Sequence, residues 1–100
     1  LLQVGDLVMN LSDYTVTKHG APVTLTAKEF EILKLLLKNP KRVYTKEQLY
    51  SLVWQDEYLG DENAVNVHIS RLRKKIEEDS RNPKYLITVW GIGYKLGEGL

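Results

Sequence analysis

The sequence predicts an α+β fold in which a small antiparallel sheet precedes three helices and a C-terminal β-hairpin. Three observations support this prediction. Apolar and β-branched residues recur at two-residue spacings over residues 4–25, two later segments begin with a helix capping box, and a glycine-rich turn separates two short apolar runs near the C-terminus. A chain of 100 residues is long enough for one domain with its own core.

The N-terminal segment is predicted to form three or four strands of the sheet. The predicted strands are Asp6–Leu11, Thr15–Thr17 and Pro22–Leu25, and turn formers such as Ser12-Asp13 and His19-Gly20 separate them. Antiparallel strands with one solvated face tolerate this mixture of apolar and polar residues. The segment therefore predicts a sheet that packs one face on the rest of the domain.

Two helices with capping boxes are predicted next. Thr26 caps the first, which ends at Asn39-Pro40, and Thr45 caps the second. In each box the threonine side chain accepts an early backbone N–H, and a glutamate or glutamine three residues later accepts the threonine N–H. The residues predicted to face the core are Phe30, Leu33, Leu36 and Leu37 in the first helix, and Leu49, Leu52 and Val53 in the second. The polar residues 55–60 are predicted to form a loop.

The third predicted helix, residues 62–78 with Asp61 as its N-cap, has two unlike faces. At about 100° per residue, one stripe is wholly apolar: Val65, Ile69, Leu72 and Ile76. The opposite side is polar and basic, and it contains Asn63, Asn66, Val67, Ser70 and Lys74, flanked by Arg71 and Arg73. No carboxylate lies between Asn63 and Ile76, although the formal net charge of the chain is only +1. Local charge of this kind, more than net charge, attracts phosphate backbones.

Little in the sequence suggests catalysis. Cysteine is absent, and His19 and His68 have no metal-ligand spacing. Gly91-Ile92-Gly93 lacks the third glycine of a dinucleotide site and therefore indicates a turn. We predict a domain that is not an enzyme and needs no cofactor or metal. No signal peptide or membrane-length apolar run is evident, so we expect a cytoplasmic protein without a membrane segment.

A helix with this polar face has the chemistry to lie in a major groove of DNA. Arginine and asparagine match the edges of guanine and adenine, and lysine neutralises phosphates. Val67 either contacts a thymine methyl or is one exposed valine without special meaning. The acidic Glu77-Glu78-Asp79 is interpreted as the limit of the DNA-facing region. The alternatives are that the basic face is merely solvated or that it docks a protein partner.

Three segments together resemble the DNA-binding domain of OmpR/PhoB-type response regulators. They are LTAKEFEILKLLLKNPKRVYTKEQLYSLVW (25–54), VNVHISRLRKKIE (65–77) and ITVWGIGYKL (87–96), in the order found in that family. The resemblance implies a winged helix-turn-helix over residues 1–100, with an N-terminal four-stranded antiparallel sheet, three helices and a hairpin wing at 86–96. It also implies that the full-length protein carries an N-terminal receiver domain, absent here, on which a cognate histidine kinase acts.

The resemblance also implies roles for particular residues. Bases or nearby phosphates would be met by Asn63, Asn66, Val67 and Arg71, and the DNA backbone by His68, Ser70, Arg73 and Lys74, with Trp54, Thr88 and Tyr94 as further phosphate contacts. Family members of this kind bind promoter direct repeats as head-to-tail dimers and contact RNA polymerase through the loop that corresponds to residues 55–60. These properties are expectations for this chain.

The sequence departs from the family pattern at several positions. Trp90 stands where many members have an arginine that reaches the minor groove, and Lys95 is expected to substitute for that arginine only in part. We consider two roles for Trp90, which are to cover the hinge of the wing or to stack on the sugar-phosphate backbone. His68 likewise is either a packed, hydrogen-bonded residue or a phosphate ligand. Asn66 stands where an aspartate is frequent, which alters the expected base preference.

Overall fold

The computed structural model describes residues 1–55 and 62–98. Within these residues the elements are β1 (Leu2–Val4), β2 (Leu7–Asn10), β3 (Thr15–Lys18), β4 (Ala21–Pro22), α1 (Ala27–Lys38), β5 (Tyr44–Thr45), α2 (Lys46–Trp54), α3 (Glu62–Ile76), β6 (Leu86–Val89) and β7 (Gly93–Leu96). Strands β1 to β4 form one antiparallel sheet in chain order, and the second sheet has the order β5-β7-β6. The predicted α+β architecture is confirmed. None of the helices in the described ranges is long and apolar enough to span a membrane.

The N-terminal sheet has four strands, but their boundaries differ from the prediction. Strand β1 was not predicted, and the turn at Gly5, which has a φ of 53°, separates it from β2. The strand predicted at Pro22–Leu25 is wrong in extent because β4 ends at Pro22. Proline has no N–H for a strand ladder, and after it only the Val23 N–H bonds to the sheet, at 2.8 Å from the Val16 carbonyl oxygen. The chain then turns toward the cap of α1.

Both predicted capping boxes are confirmed. The Thr26 Oγ1 accepts the Glu29 N–H at 3.3 Å, and the Glu29 Oε1 accepts the Thr26 N–H at 2.8 Å. The equivalent bonds between Thr45 and Gln48 measure 3.1 and 2.9 Å. These bonds satisfy donors that the first turn of each helix would otherwise leave unpaired. The sequence alone therefore determines where α1 and α2 begin.

The core lies between the N-terminal sheet, the three helices and the C-terminal hairpin. Its buried apolar side chains include Leu7, Met9, Ile32, Leu33, Leu36, Leu49, Val65, Ile69, Leu72, Ile76 and Leu86. The predicted apolar stripe of α3 is thus confirmed, while the predicted N-cap, Asp61, lies outside the described residues. The assignment of Leu52 to the core is wrong, because 49% of its surface is exposed. Helix α2 is short and buries only the stripe that contains Leu49 and Val53.

The segment after α3 depends on a buried carboxylate. Glu77 is only 8% exposed. Its carboxylate accepts the backbone N–H groups of Lys84 at 2.8 Å, Tyr85 at 3.1 Å and Leu86 at 2.9 Å. Glu77 is therefore not a solvated acidic residue, and the interpretation of Glu77-Glu78-Asp79 as the limit of the DNA-facing region stays a prediction. The chain turns back after α3, and Glu77 holds the start of β6 against the end of the helix.

Strand β5, which lies between α1 and α2, was not predicted, and it pairs with β7 of the hairpin. Tyr44 pairs with Tyr94, and Thr45 pairs with Gly93. A Cβ on Gly93 would overlap the carbonyl oxygen of Tyr44, so the close approach of β7 to β5 requires glycine. A strand of two residues has too little periodicity to be found in a sequence. It places the hairpin beside the N-terminus of α2.

Candidate nucleic-acid interface

The solvent-facing side of α3 is polar and basic, as predicted. Of the predicted site residues, Asn63, Val67, Ser70, Arg71 and Lys74 are exposed, while Asn66, His68 and Arg73 are partly buried. Val67 exposes 43% of its surface beside these polar groups. The buried stripe holds α3 in the domain, so the opposite side stays open to a partner.

Arg73 lies between α3 and the hairpin of β6 and β7, which we call the wing. Its guanidinium donates to the Leu86 carbonyl oxygen from Nε at 3.2 Å and from Nη2 at 2.8 Å. Nη2 also donates to the Thr88 Oγ1 at 2.8 Å. The same guanidinium lies 5.7 Å from the centroid of the Tyr94 ring, within cation–π distance. In the free domain Arg73 therefore fixes the wing against α3, and its predicted contact with the DNA backbone stays a prediction.

Tyr94 joins the wing to the polar side of α3. Only 7% of its surface is exposed, and its hydroxyl donates to the Asn66 Oδ1 at 3.0 Å. Asn66 and Tyr94 both line an open cleft of about 540 Å³ between α3, the wing and the start of α2. Arg73, Thr88 and Trp90 line the same cleft. The structure thus brings together five of the predicted site residues at one place.

Trp54 and His68 form a second cluster at the other end of the surface. Their rings meet edge to face with centroids 4.9 Å apart, and Trp54 also stacks on Tyr50 at 5.0 Å. The His68 Nδ1 lies 2.7 Å from the Ala64 carbonyl oxygen, so this nitrogen carries the hydrogen. Lys28 adds a cation 5.6 Å from the Trp54 ring. The packed, hydrogen-bonded role of His68 is confirmed, and a phosphate contact through its other nitrogen stays a prediction.

The tip of the wing is exposed and apolar. Trp90 exposes 89% of its surface and Ile92 exposes 58%. The turn is closed by the Ile92 N–H, which donates to the Val89 carbonyl oxygen at 2.9 Å, and Gly91 has a φ of 76°. Because so little of the indole is covered, the interpretation that Trp90 covers the hinge is wrong. Trp90 instead lies exposed at the rim of the cleft that it lines.

Lys95 lies apart from the other wing residues. Its strand neighbour Tyr94 faces α3, and successive side chains of a strand point to opposite faces. The Lys95 Nζ lies 3.7 Å from the Glu98 Oε1. The predicted contact between Lys95 and DNA stays a prediction.

Lys46 is a residue of this surface to which the sequence assigned no role. It is the first residue of α2 and lines the cleft beside the wing. A signal was present, because Lys46 ends the acid-free basic segment 38–46. Its position beside the wing follows from the pairing of β5 with β7, which the sequence pattern did not reveal.

These features define a winged-helix domain: α2 packs on α3, α3 presents a polar and basic face, and a hairpin wing lies beside it. The chain belongs to the family described as transcriptional regulatory protein, C terminal, whose model matches residues 20–96. The sequence is 48% identical to the uncharacterized transcriptional regulatory protein YcbL of Bacillus subtilis (strain 168), over 98% of this chain and 43% of that protein. It is 46% identical to the sensory transduction protein RegX3 of Mycolicibacterium smegmatis, over 96% of this chain and 42% of that protein.

Solved structures agree with this assignment. The response regulator DrrB of Thermotoga maritima, described as an OmpR/PhoB homolog, matches with a TM-score of 0.87 and 38% identity over 95% of this chain and 43% of DrrB. The RstA DNA-binding domain of Klebsiella pneumoniae, solved in complex with the RstA box, matches with a TM-score of 0.88 and 27% identity over 96% of this chain and 95% of that one. The resemblance to OmpR/PhoB-type regulators is confirmed. The chain spans less than half the length of YcbL and RegX3.

Proposed function

We propose that this domain is the DNA-binding effector domain of a two-component response regulator and binds promoter DNA sequence-specifically. Helix α3 enters the major groove, and the wing lies on the adjacent backbone or minor groove. The observation that carries the proposal is the division of α3 into a buried apolar stripe and an exposed polar face without a carboxylate between Asn63 and Ile76. The complex of the similar RstA domain with its DNA box supports it.

The exposed residues are assigned to direct contacts with DNA. Asn63, Val67 and Arg71 meet base edges or nearby phosphates, because they combine exposure with hydrogen-bonding groups or a methyl surface. Ser70 and Lys74 contact the DNA backbone. The partly buried Arg73 and Thr88 contribute by holding the wing in place, and they offer their remaining donors to a phosphate.

The wing tip and the aromatic cluster bound the interface at its two ends. Trp90 stacks on the sugar-phosphate backbone, a role that its exposed indole favours. At the other end Trp54 and His68 meet a phosphate. A cationic side chain at Lys28 beside them adds to the attraction of the DNA backbone.

The proposed assembly extends beyond the domain. Two copies bind direct repeats head to tail, with half-sites about one helical turn apart, ~10–11 base pairs. RNA polymerase is contacted through the loop 55–60, of which only Gln55 lies within the described residues. A receiver domain, phosphorylated through a cognate histidine kinase, regulates the full-length protein. Such a regulator works where the bacterial chromosome is, in the cytoplasm, and needs no enzymatic activity of this domain.

Two substitutions on α3 test the proposal by fluorescence anisotropy with cognate and scrambled duplexes. Arg71→Ala is expected to weaken cognate binding by about 1–3 kcal/mol and to relax specificity at one base pair. Lys74→Ala is expected to weaken binding to all duplexes alike and to lower the slope of log K against log salt by about one. If neither substitution changes binding to any duplex, α3 does not lie in the groove.

The rival function is a protein-interaction module, which the half-exposed Leu52 and the apolar wing tip favour. The two functions differ in their dependence on salt. A DNA-binding domain binds even random duplexes at low salt and loses that binding steeply as salt rises. A domain that docks a protein shows no such binding, so a gel shift at two salt concentrations separates them.

A further inference from the structure

We infer that Tyr94 orients the amide of Asn66 so that the domain selects a base with a hydrogen-bond acceptor, and excludes cytosine, at one position of each half-site. This inference rests on the proposed DNA-binding function and specifies it. Tyr94 acts here as a positioning residue, and Asn66 is the residue that contacts the base.

The Tyr94 hydroxyl is held in place by the surroundings of the residue. Tyr94 is 7% exposed, its backbone pairs with Tyr44 and Thr88 in the second sheet, and its ring lies next to the Arg73 guanidinium. That guanidinium is itself held by the Leu86 carbonyl oxygen and the Thr88 hydroxyl. The tyrosine hydroxyl therefore has little freedom to move away from α3.

The Tyr94 hydroxyl sets the orientation of the Asn66 amide. Its Oδ1 accepts the hydrogen of the Tyr94 hydroxyl at 3.0 Å. Within the described residues its Nδ2 has no hydrogen-bond partner. An asparagine amide has an acceptor end and a donor end, and the bond to Tyr94 turns the acceptor end toward the wing. The donor end is left for a ligand in the cleft.

The four bases differ in the hydrogen-bond acceptors that they present in the major groove. Guanine presents two acceptors, adenine presents N7 and thymine presents O4, whereas cytosine presents only an amino donor. An amide whose free end is a donor can bond to the first three and meets the cytosine amino group with like polarity. An aspartate at this position would have only acceptors and would favour the cytosine amino group. Asn66 held by Tyr94 thus presents a hydrogen-bond donor to the base where an aspartate would present an acceptor.

The test is selection of bound sequences from random duplexes by four chains in parallel: the wild type, Tyr94→Phe, Asn66→Asp and Tyr85→Phe. Tyr85→Phe is the matched control, since it also removes a hydroxyl from a 7% exposed tyrosine, but that hydroxyl accepts the Asp6 N–H at 3.2 Å, outside the cleft. We expect the wild type and the control to exclude cytosine at one position by about tenfold. Tyr94→Phe should reduce this exclusion to about twofold at that position alone, because the amide can then turn over. Asn66→Asp should enrich cytosine there.

Several outcomes would overturn the inference. If the Tyr94→Phe chain still excludes cytosine as strongly as the wild type, the Tyr94 hydroxyl does not orient the Asn66 amide. Asn66→Asp with a wild-type logo at every position shows that Asn66 contacts no base, and this result decides the matter even if Tyr94→Phe fails to fold. If the wild-type chain enriches no sequence and binds no duplex at low salt, the proposed function itself is refuted. If the wild type enriches a motif that tolerates cytosine at every position, only the inference about Asn66 and Tyr94 is refuted.

Discussion

The Lys75 Nζ lies 2.6 Å from the Glu29 Oε1 and ties α3 to the first turn of α1. The Glu29 side chain is buried, whereas about a third of the Lys75 side chain is exposed. Glu29 is also the capping-box residue of α1, since the same Oε1 accepts the Thr26 N–H. One carboxylate therefore caps the N-terminus of α1 and also positions α3, the helix proposed to enter DNA.

Replacing Glu29 by glutamine should destabilise the domain measurably. Glu29→Gln keeps a side-chain oxygen for the Thr26 N–H but loses the charge-assisted bond to Lys75, which we expect to cost about 2 kcal/mol. Urea denaturation at pH 7 measures this. Glu31→Gln on the same helix is the control, because its partly exposed ion pair with Lys34, three positions along the helix surface, should contribute only about 0.5 kcal/mol. Equal losses in the two chains would contradict the assigned role of the buried pair.

The stability that Glu29 contributes should depend on pH. Burial raises the pKa of its carboxyl, but the bonds from Lys75 and Thr26 and the Lys75 charge outweigh burial and hold the pKa below its ordinary 4.5. Because the folded-state pKa is the lower one, the carboxylate stabilises the fold above about pH 4.5, and this contribution disappears as pH falls through the folded-state pKa. The difference in unfolding free energy between wild type and Glu29→Gln should therefore shrink between pH 5 and pH 3.

Asp79 does not disturb this comparison. Bonds from the Asn82 side chain and the Arg81 backbone lower the pKa of its carboxyl as well, but both chains carry it and its effect cancels in the difference. A difference between the two chains that stays constant from pH 7 to pH 3 would show that folding does not lower the pKa of Glu29.

Glu77 and Glu78 are adjacent acids that should contribute unequally to stability. Glu77→Ala removes the acceptor for three backbone N–H groups at the start of β6, so we expect a loss of about 3 kcal/mol. Glu78 is exposed, and its ion-pair partner among the described residues is His19, at 3.9 Å, so Glu78→Ala should change stability by less than about 0.5 kcal/mol. Thermal denaturation of both variants checks this. Similar melting temperatures would mean that Glu77 does not anchor the wing.

Two glycines of the wing should differ in their tolerance of alanine. Gly93→Ala places a Cβ on the Tyr44 carbonyl oxygen and should cost about 3 kcal/mol or displace β7 from β5. Gly91→Ala meets no atom within 4 Å, but a φ of 76° makes it cost about 1 kcal/mol. Amide exchange of the Gly93 and Tyr94 N–H groups reports whether the pairing is lost. If Gly91→Ala is the more disruptive change, close packing at β5 does not position the wing.

The fluorescence of Trp90 should report DNA binding. In a Trp54→Phe chain Trp90 is the remaining tryptophan of the sequence, and its exposed indole should be quenched when it stacks on the DNA backbone. The emission spectrum is recorded during titration with a duplex that a gel shift shows to be bound. Trp90→Phe, which keeps only Trp54, measures separately how far Trp54 emission changes on binding. If Trp90 emission is unchanged when binding is saturated, Trp90 does not lie in the interface.

The local features of this protein could be predicted from its sequence. The capping boxes at Thr26 and Thr45, the buried stripe of α3 and the turn at Gly91 are each contained within a few neighbouring residues. Capping bonds and helical periodicity act over three or four positions, so the sequence pattern contains them directly. The polar face of α3, and with it the class of partner, follows from the same periodicity.

Only the tertiary structure decided how the site is assembled. Arg73 meets Thr88 across 15 positions and Asn66 meets Tyr94 across 28, and the burial of Glu77 depends on the return of the chain at Tyr85. Strand β5, which sets the wing beside α2, is two residues long. Contacts between distant segments depend on packing of the whole core and leave no local periodicity. The sequence therefore determined which residues face outward from α3, and the fold decided which of them are held by the wing.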